Sequence, residues 1–380
     1  MRKNVLFLCS SPTPYRNPLF GEISRHRDIK LFVCFCVWRS GTRPWKLGGL
    51  DGVRHEVLRG WHIPTGKGNY VRINWSVLPC LIKEEPDVVV IAGYNHPTML
   101  MALIYCVLTR TTFLVQGETW RARSGWKSVL KRRFLHPLLF RAQSFLVTGR
   151  LARDYWIREG YPAERIKVFA NTPDIEYFQR EVLKITSERK SALREDWGCA
   201  ERRVLVFVGR LIRAKGLDLL LEALRALEDR KRPFLVIIGD GVERARLESA
   251  AEGLPVQFLG FLQKSSLPEI YAAADGFVLV SRKEPWGVVV NEAMACGLPL
   301  VLSEQVGAHG DLLVEGDGGN GILVEGPEFK PLREALQQFG ELSCEQLRRM
   351  GAESRRIIEG WKYGFSVENF VSACSHNDEH

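Results

Sequence analysis

"RRVLVFVGRLIRAKGLDLLLEALRAL" (Arg202–Leu227) decides the fold. Val204–Val208 is a five-residue apolar run, rich in β-branched valine and closed by a glycine, which reads as a buried strand. Gly209–Gly216 reads as a loop carrying Arg210, Arg213 and Lys215. Leucines then recur at 217, 220, 221, 224 and 227, a spacing of three and four that sets them on one face of a helix. Parallel strands need a long crossover between them, usually a helix. Strand, loop and helix in this order therefore predict a doubly wound α/β unit.

The alternation extends both ways. Downstream, Phe234–Gly239, Gln257–Leu259, Gly276–Val280, Leu300–Ser303 and Ile322–Val324 read as strands, and Val288–Cys296 as a helix starting after Gly287. Upstream, Val5–Cys9, Lys30–Val37, Val88–Ala92, Thr112–Val115 and Ser144–Thr148 read as strands. Leu19–His26, Val71–Lys83, Met99–Thr109 and Gly125–Phe140 carry helical spacing between them. The charged stretch Arg180–Asp196 marks a boundary, giving an N-terminal domain over 1–185 and a C-terminal domain over 186–360. An amphipathic helix over 361–376 is expected to pack back on the first. A chain of 380 residues is too long for one ordinary core, so two domains suit it. Such domains bind ligands at the carboxyl ends of their strands.

An apolar fraction of 46% with 26% charged residues describes a globular protein and excludes disordered or collagen-like classes. Nine cysteines, from Cys9 to Cys374, show neither CxxC pairs nor Cys/His zinc spacing. They read as reduced, buried thiols of a cytoplasmic protein. No DxD or HExxH asks for a metal, and nothing asks for a cofactor. "MRKNVLFLCSSPTPYR" opens like a signal peptide, but its apolar run Val5–Cys9 is shorter than the roughly 7–15 residues such a peptide needs. Val88–Thr109 is uncharged yet broken by Gly93, Asn95, His96 and Pro97, so it reads as strand, loop and helix rather than a membrane span.

The net charge of +9 is uneven. Residues 1–185 hold 29 Lys and Arg against 14 Asp and Glu, a balance of +15, while the remainder holds 24 against 30. A basic half suits nucleic acid, an anionic membrane or an acidic substrate. No nucleic-acid motif is present.

Two glutamates stand around an apolar run in "SRKEPWGVVVNEAMACGLPLVLSEQVG" (Ser281–Gly307): Glu284 in the loop and Glu292 a turn into the helix. The start of that helix offers unpaired N–H groups to a phosphate, Glu284 could reach sugar hydroxyls, and Glu292 could accept from a ribose diol. A solvated loop charge and an exposed helix residue explain the pair equally well on their own. "GRLIRAKG" (Gly209–Gly216) shifts the balance, since Arg and Lys together suit a diphosphate, one as a planar fork and one as a point charge. It is not a P-loop, which needs GxxxxGK[ST].

"VGRLIRAKGLDLLLEAL", "IIGDGVERARLESAA", "VQFLGFLQKSSLPEIYAAAD" and "EPWGVVVNEAMACGLPLVLSEQVGAHGDLL" follow in this order, and together they resemble the C-terminal half of glycosyltransferase family 4. The resemblance is strong over residues 204–325, and its hallmark Glu-x7-Glu is met by Glu284 and Glu292. It implies the GT-B fold, two Rossmann-like domains facing across a cleft, and transfer that retains the anomeric configuration. It implies that Arg210 and Lys215 hold the diphosphate of a UDP- or GDP-sugar, aided by N–H groups near Val288 and Val289. Glu284 would contact the transferred sugar, Glu292 the ribose, and the neighbourhood of Phe261 the base. Gly209, Trp286 and Gly287 fall in the same donor-binding set.

The first half resembles the family more loosely, through "SSPTPYRNPLFGEI", "GRLARDYWIREGYPAERIKVFANTPDIEYF" and "FSVENF". Where many members carry a Gly-Gly pair, this chain has Pro14, Tyr15, Arg16 and Asn17. Where many carry a histidine, it has "VQGETW" with Gln116 and Glu118. Arg16, His96, Gln116 and Glu118 are the acceptor-side candidates, with His96 equally readable as a loop hydrogen-bonder. "WRARSGWKSVLKRRFLHPLLFRAQ" (Trp120–Gln143) interleaves basic and aromatic residues, so it suits either an anionic membrane surface or a helix packed on the sheet. The expectation is a metal-independent hexosyltransferase acting on a glycan or lipid-linked acceptor in envelope or exopolysaccharide synthesis, peripheral on the inner face of the cell membrane. The alternative is a catalytically silent sugar-nucleotide or glycan-binding protein.

Overall fold

Val204–Val208 forms a strand whose five residues are all buried, and the sheets of both halves are built from runs of this kind. The computed structural model describes residues 2–38, 48–66, 69–94, 96–121, 126–199, 201–326 and 328–375. The chain divides into two units: residues up to Thr172 together with the chain from Tyr363, and Pro173–Lys362.

The strands of the first unit are β1 (Lys3–Cys9), β2 (Ile29–Phe35), β3 (Arg54–Val57), β4 (Trp61–Gly66), β5 (Asn69–Ile73), β6 (Val88–Ala92), β7 (Thr112–Gly117), β8 (Ser144–Val147) and β9 (Ile166–Val168). Seven make one sheet in the order β3-β2-β1-β6-β7-β8-β9, every neighbouring pair parallel. Along β1, Leu6 and Leu8 belong to the core on one face while Val5, Phe7 and Cys9 belong to the core on the other. A parallel sheet covered on both faces needs such an unbroken apolar run, which is why β1 resembled a signal peptide.

The second unit holds β10 (Val204–Val208), β11 (Phe234–Ile238), β12 (Val256–Gly260), β13 (Gly276–Leu279), β14 (Leu300–Ser303) and β15 (Gly321–Val324), in the order β12-β11-β10-β13-β14-β15. The helix Leu217–Arg225 buries Leu217, Leu220, Leu221 and Leu224 against it, as the leucine spacing requires. Each unit is thus an α/β domain built on a parallel, Rossmann-like sheet, as the GT-B resemblance implies.

Three readings need correction. The stretch 71–83 is not one helix: β5 ends at Ile73, and the helix runs Val77–Glu84. β3, β9 and the β4–β5 hairpin were not read at all. The boundary lies at Thr172/Pro173 rather than after 185. Asp174 caps the helix Ile175–Val182 by accepting from Tyr177 N–H at 2.9 Å, and Ile175, Phe178 and Val182 are buried in the second unit's core. The charged run is therefore the wet side of two helices that bury Phe178, Val182 and Leu193, not a linker.

The C-terminal helix, Tyr363–Ser375, joins the first unit. Its fully buried Phe370 packs between Phe7 and Phe169, with ring centroids 6.1 and 5.5 Å away. Lys3 donates to the carbonyl of Cys374 at 2.9 Å, and Gln143 donates to that of Ala373 at 2.7 Å.

Candidate active site

In the second unit the chain leaves β10 towards β11 and β12, then crosses to β13 on the other side of β10. That reversal is a topological switch point, and the loops after β10 and β13 are neighbours there. They close on each other. Arg282 N–H donates to the Ala214 carbonyl at 2.8 Å. The Arg282 guanidinium donates to Arg213 O at 2.9 Å and pairs bidentately with Asp218 at 2.6 and 2.9 Å. Gly216, at φ +73°, lies so near β13 that a Cβ would stand 2.2 Å from the Val280 carbonyl oxygen. On the other side a Cβ at Gly239 would stand 1.8 Å from the Gly209 carbonyl oxygen, so only glycine fits there.

This seating brings Lys215 onto Glu284: the ammonium donates to Glu284 Oε2, and each side chain is 16% exposed. Glu284 is fixed from behind, its N–H donating to Gln305 O and its carbonyl accepting from Gly307 N, both at 3.0 Å. Arg210 on the same loop is exposed and makes no side-chain hydrogen bond or ion pair among the described residues. Gly287, at φ +100°, opens the helix Val288–Ala295, whose first N–H groups at Val288 and Val289 have no carbonyl one turn back. Phe261 follows the last residue of β12, Gly260, whose carbonyl accepts from Gly239 N at 2.8 Å.

Glu292 is turned elsewhere. Its Oε2 accepts from the Tyr271 hydroxyl at 3.2 Å, and burial raises its carboxyl to about 7 against the pull of Lys264 and the Tyr271 hydrogen bond. Lys264 lies over the Tyr177 ring at 4.5 Å, and its own ammonium is lowered by burial. Trp286 is turned into the core of the second unit. It is 3% exposed, donates its indole N–H to Asn291 at 3.0 Å and packs on Trp361, so it props the loop from inside. Sequence reasoning missed Arg282, Asp218, Tyr271 and Lys264. Only the position of Arg282, just after a strand and close to Glu284, offered a signal.

In the first unit the switch point lies between β1 and β6. Arg16, at the start of the helix after β1, donates to Glu118 Oε1 at 3.1 Å and to Asn171 Oδ1 at 2.7 Å; Asn171 in turn donates to the same Glu118 oxygen at 2.8 Å. Gln116 at the end of β7 is 3% exposed, and neither atom of its amide has a hydrogen-bond partner among the described residues. His96 precedes the helix Pro97–Thr109, and the Arg72 guanidinium donates to its Nε2 at 3.0 Å. A guanidinium only donates, so the proton sits on Nδ1. Burial, with Arg72 beside it, lowers the His96 pKa. Within 120–143, residues 122–125 and the side chains of 126–132, including Lys127, Lys131 and Arg132, lie outside the described residues. Beyond them Leu135, Leu138 and Leu139 pack on the core while Phe134 is exposed. Among the described residues no helix is long and apolar enough to cross a membrane.

The family profile described as "Glycosyl transferases group 1" matches residues 189–357. Alpha-D-kanosaminyltransferase of Streptomyces kanamyceticus is 31% identical over 340 residues, 87% of this chain and 80% of that protein. The chain belongs to the group 1 glycosyl transferases. It is thus a sugar-transferring enzyme by family. Another relative, the GDP-mannose-dependent alpha-mannosyltransferase of Mycobacterium tuberculosis, is 34% identical over 215 residues, 56% of this chain and only 50% of that protein. Among solved structures, Anabaena HepE in complex with UDP-glucose superposes with a TM-score of 0.73 at 22% identity, covering 98% of this chain and 99% of that one.

Proposed function

We propose that this transferase takes a sugar from a UDP- or GDP-sugar, without a divalent metal, and passes it with retention to a glycan or lipid-linked acceptor of envelope or exopolysaccharide synthesis. The observation that carries the reading is the Lys215–Glu284 contact beside an exposed Arg210 and the helix start at Gly287. A leaving diphosphate needs positive charge where its bond to the sugar breaks, and two cations with an open helix terminus supply it. Glu284, held by Lys215 and by the backbone at 305–307, is positioned to accept from sugar hydroxyls. Glu292 takes the ribose diol and Phe261 lies beside the base.

The bond from the anomeric carbon to the phosphate oxygen breaks as the acceptor hydroxyl arrives on the same face. The hydroxyl's proton passes to the departing phosphate oxygen, so no further group is consumed. Arg16, Gln116, Glu118 and His96 are the acceptor-side groups of this reading, with Gln116 offering a buried amide and the Arg16–Glu118–Asn171 set fixing the loop beside it. The donors named for the Anabaena and Mycobacterium proteins make UDP-glucose and GDP-mannose the first to test. A thermal-shift screen of sugar nucleotides selects the donor. Proton NMR of the first product, run with chelator present, is expected to show the donor's own anomer. An inverted anomer, or activity abolished by the chelator, overturns the mechanism. Tight nucleotide binding without transfer or hydrolysis favours the silent binding protein instead.

A further inference from the structure

The small antiparallel sheet of the first unit carries large apolar side chains into solvent. Trp61 pairs opposite Ile73, His62 opposite Arg72 and Ile63 opposite Val71. Directly opposed residues share a face and successive ones alternate, so Trp61, Ile63, Val71 and Ile73 lie on one side and His62 and Arg72 on the other. The other side is mixed: Arg72 is buried, while His62 and Tyr70 are exposed. Arg72 is 8% exposed and bonds to His96, while His62 Nε2–H donates to the Cys36 carbonyl at 3.1 Å. The apolar side is turned outward, with Trp61 64% and Ile63 47% exposed. Trp75, also exposed, meets Trp61 edge-on at 4.9 Å and extends the patch. A sheet with one face on the protein ordinarily buries its apolar side.

The root of the hairpin is rigid, so the outward face is set by the fold. Asn74 is fully buried, donates to the carbonyls of Cys36 and Leu58 at 2.9 and 2.8 Å, and accepts from Thr98 at 2.9 Å. Gly60 lies against it so closely that a Cβ would stand 2.4 Å from the Asn74 Cα. Charge selects the occupant. From Leu58 to Lys83 the sequence holds four cations and not one Asp or Glu; Arg59 and Lys83 are exposed, while Arg72 is buried against His96. Arg59 is exposed and pairs through its main chain with Ser76, next to Trp75.

We propose that this hairpin face docks on the interfacial layer of an anionic lipid bilayer. Indole rings favour the headgroup level, Ile63 suits the acyl boundary, and the flanking cations meet lipid phosphates. A soluble glycan could stack on the indoles but would leave Ile63 and the cation excess without a role. The docking is independent of the donor site.

Vesicle sedimentation of the full chain tests it, comparing wild type with a Trp61→Ser/Ile63→Ser variant whose changes lie at exposed positions. Wild type is expected to sediment with phosphatidylglycerol-containing vesicles, less so at high salt, and the variant to bind about tenfold more weakly or worse. Its thermal shift with sugar nucleotide should match wild type, which also shows that it folds. Quenching of tryptophan emission by brominated lipid should fall in the milder Trp61→Phe variant. Equal vesicle binding by wild type and double variant overturns the proposal. So does loss confined to a Lys131→Ser/Arg132→Ser/Arg133→Ser variant, or an emission change with a neutral oligosaccharide and none with vesicles.

Discussion

Lys215 and Glu284 hold one another, and each side chain keeps 16% of its surface exposed. Arg210 is exposed beside them on the same loop as Lys215. Lys215→Ala and Arg210→Ala are therefore each expected to lower turnover about 10²–10³-fold, the usual effect of removing one group that stabilises developing charge. Arg210→Ala should leave the melting temperature unchanged, and near-normal turnover in either variant would remove these residues from the donor site. Glu292 adds a pH dependence. Unfolded, its carboxyl titrates near its ordinary value of 4.5; folded, burial holds it at about 7. The native state keeps a proton that the unfolded chain has lost, so this group's stability contribution is complete below 4.5 and is lost as pH rises towards 7. The full difference is on the order of 3 kcal/mol. A ribose diol donates to the ionised form, so nucleotide affinity is expected to rise with pH through this range, and Glu292→Gln to flatten both trends. Calorimetric titration on either side of pH 7, with melts of wild type and variant, checks the pair. The glutamates were legible because carboxylates inside an apolar run demand a reason. The burial of Trp286 was not legible, because nothing at its own position reveals that Asn291, five residues on, takes its N–H.

At the scale of elements, what was legible followed from burial on both faces. β1, β6 and β10 carry the continuous apolar runs Val5–Cys9, Val88–Ala92 and Val204–Val208. β3 failed because all four of its residues are exposed on a sheet edge, which leaves no alternation to read. The β4–β5 hairpin failed for the opposite reason. Val71 and Ile73 face outward and run into the apolar residues of the helix Val77–Glu84, so strand and helix merged into one apparent helical pattern over 71–83. An element that carries large apolar residues on an exposed face will defeat any reading that equates apolar with inward. The loop after β10 shows a different limit. Its cations were visible, but its seating depends on Gly239 and on Arg282 gripping Asp218, contacts made across the sheet between segments far apart in sequence.

At the scale of the whole molecule, the chain crosses to the second unit at Pro173 and returns at Tyr363, so the first unit is completed only by the last helix. The return was legible as an amphipathic segment with aromatics. The outward crossing was not, because a capped helix with one wet face carries the same charges as a linker. The physical content of the return is Phe370. It is fully buried and closes an aromatic cluster with Phe7 and Phe169, on the face of the sheet that also buries Phe20. Replacing a buried phenylalanine with alanine removes its transfer energy and leaves a cavity, together about 3–5 kcal/mol. Phe370→Ala should therefore destabilise the first unit by that amount and leave the second, whose core does not include it, unchanged. Hydrogen exchange read by mass spectrometry separates the two. Protection should fall across β1, β2 and β6 while β10, β11 and β13 keep theirs, and the thermal shift with sugar nucleotide should persist because its residues lie in the second unit. Uniform loss of protection in both units would mean that they unfold as one, and unchanged protection in β1 would mean that the helix is not needed to close the first core.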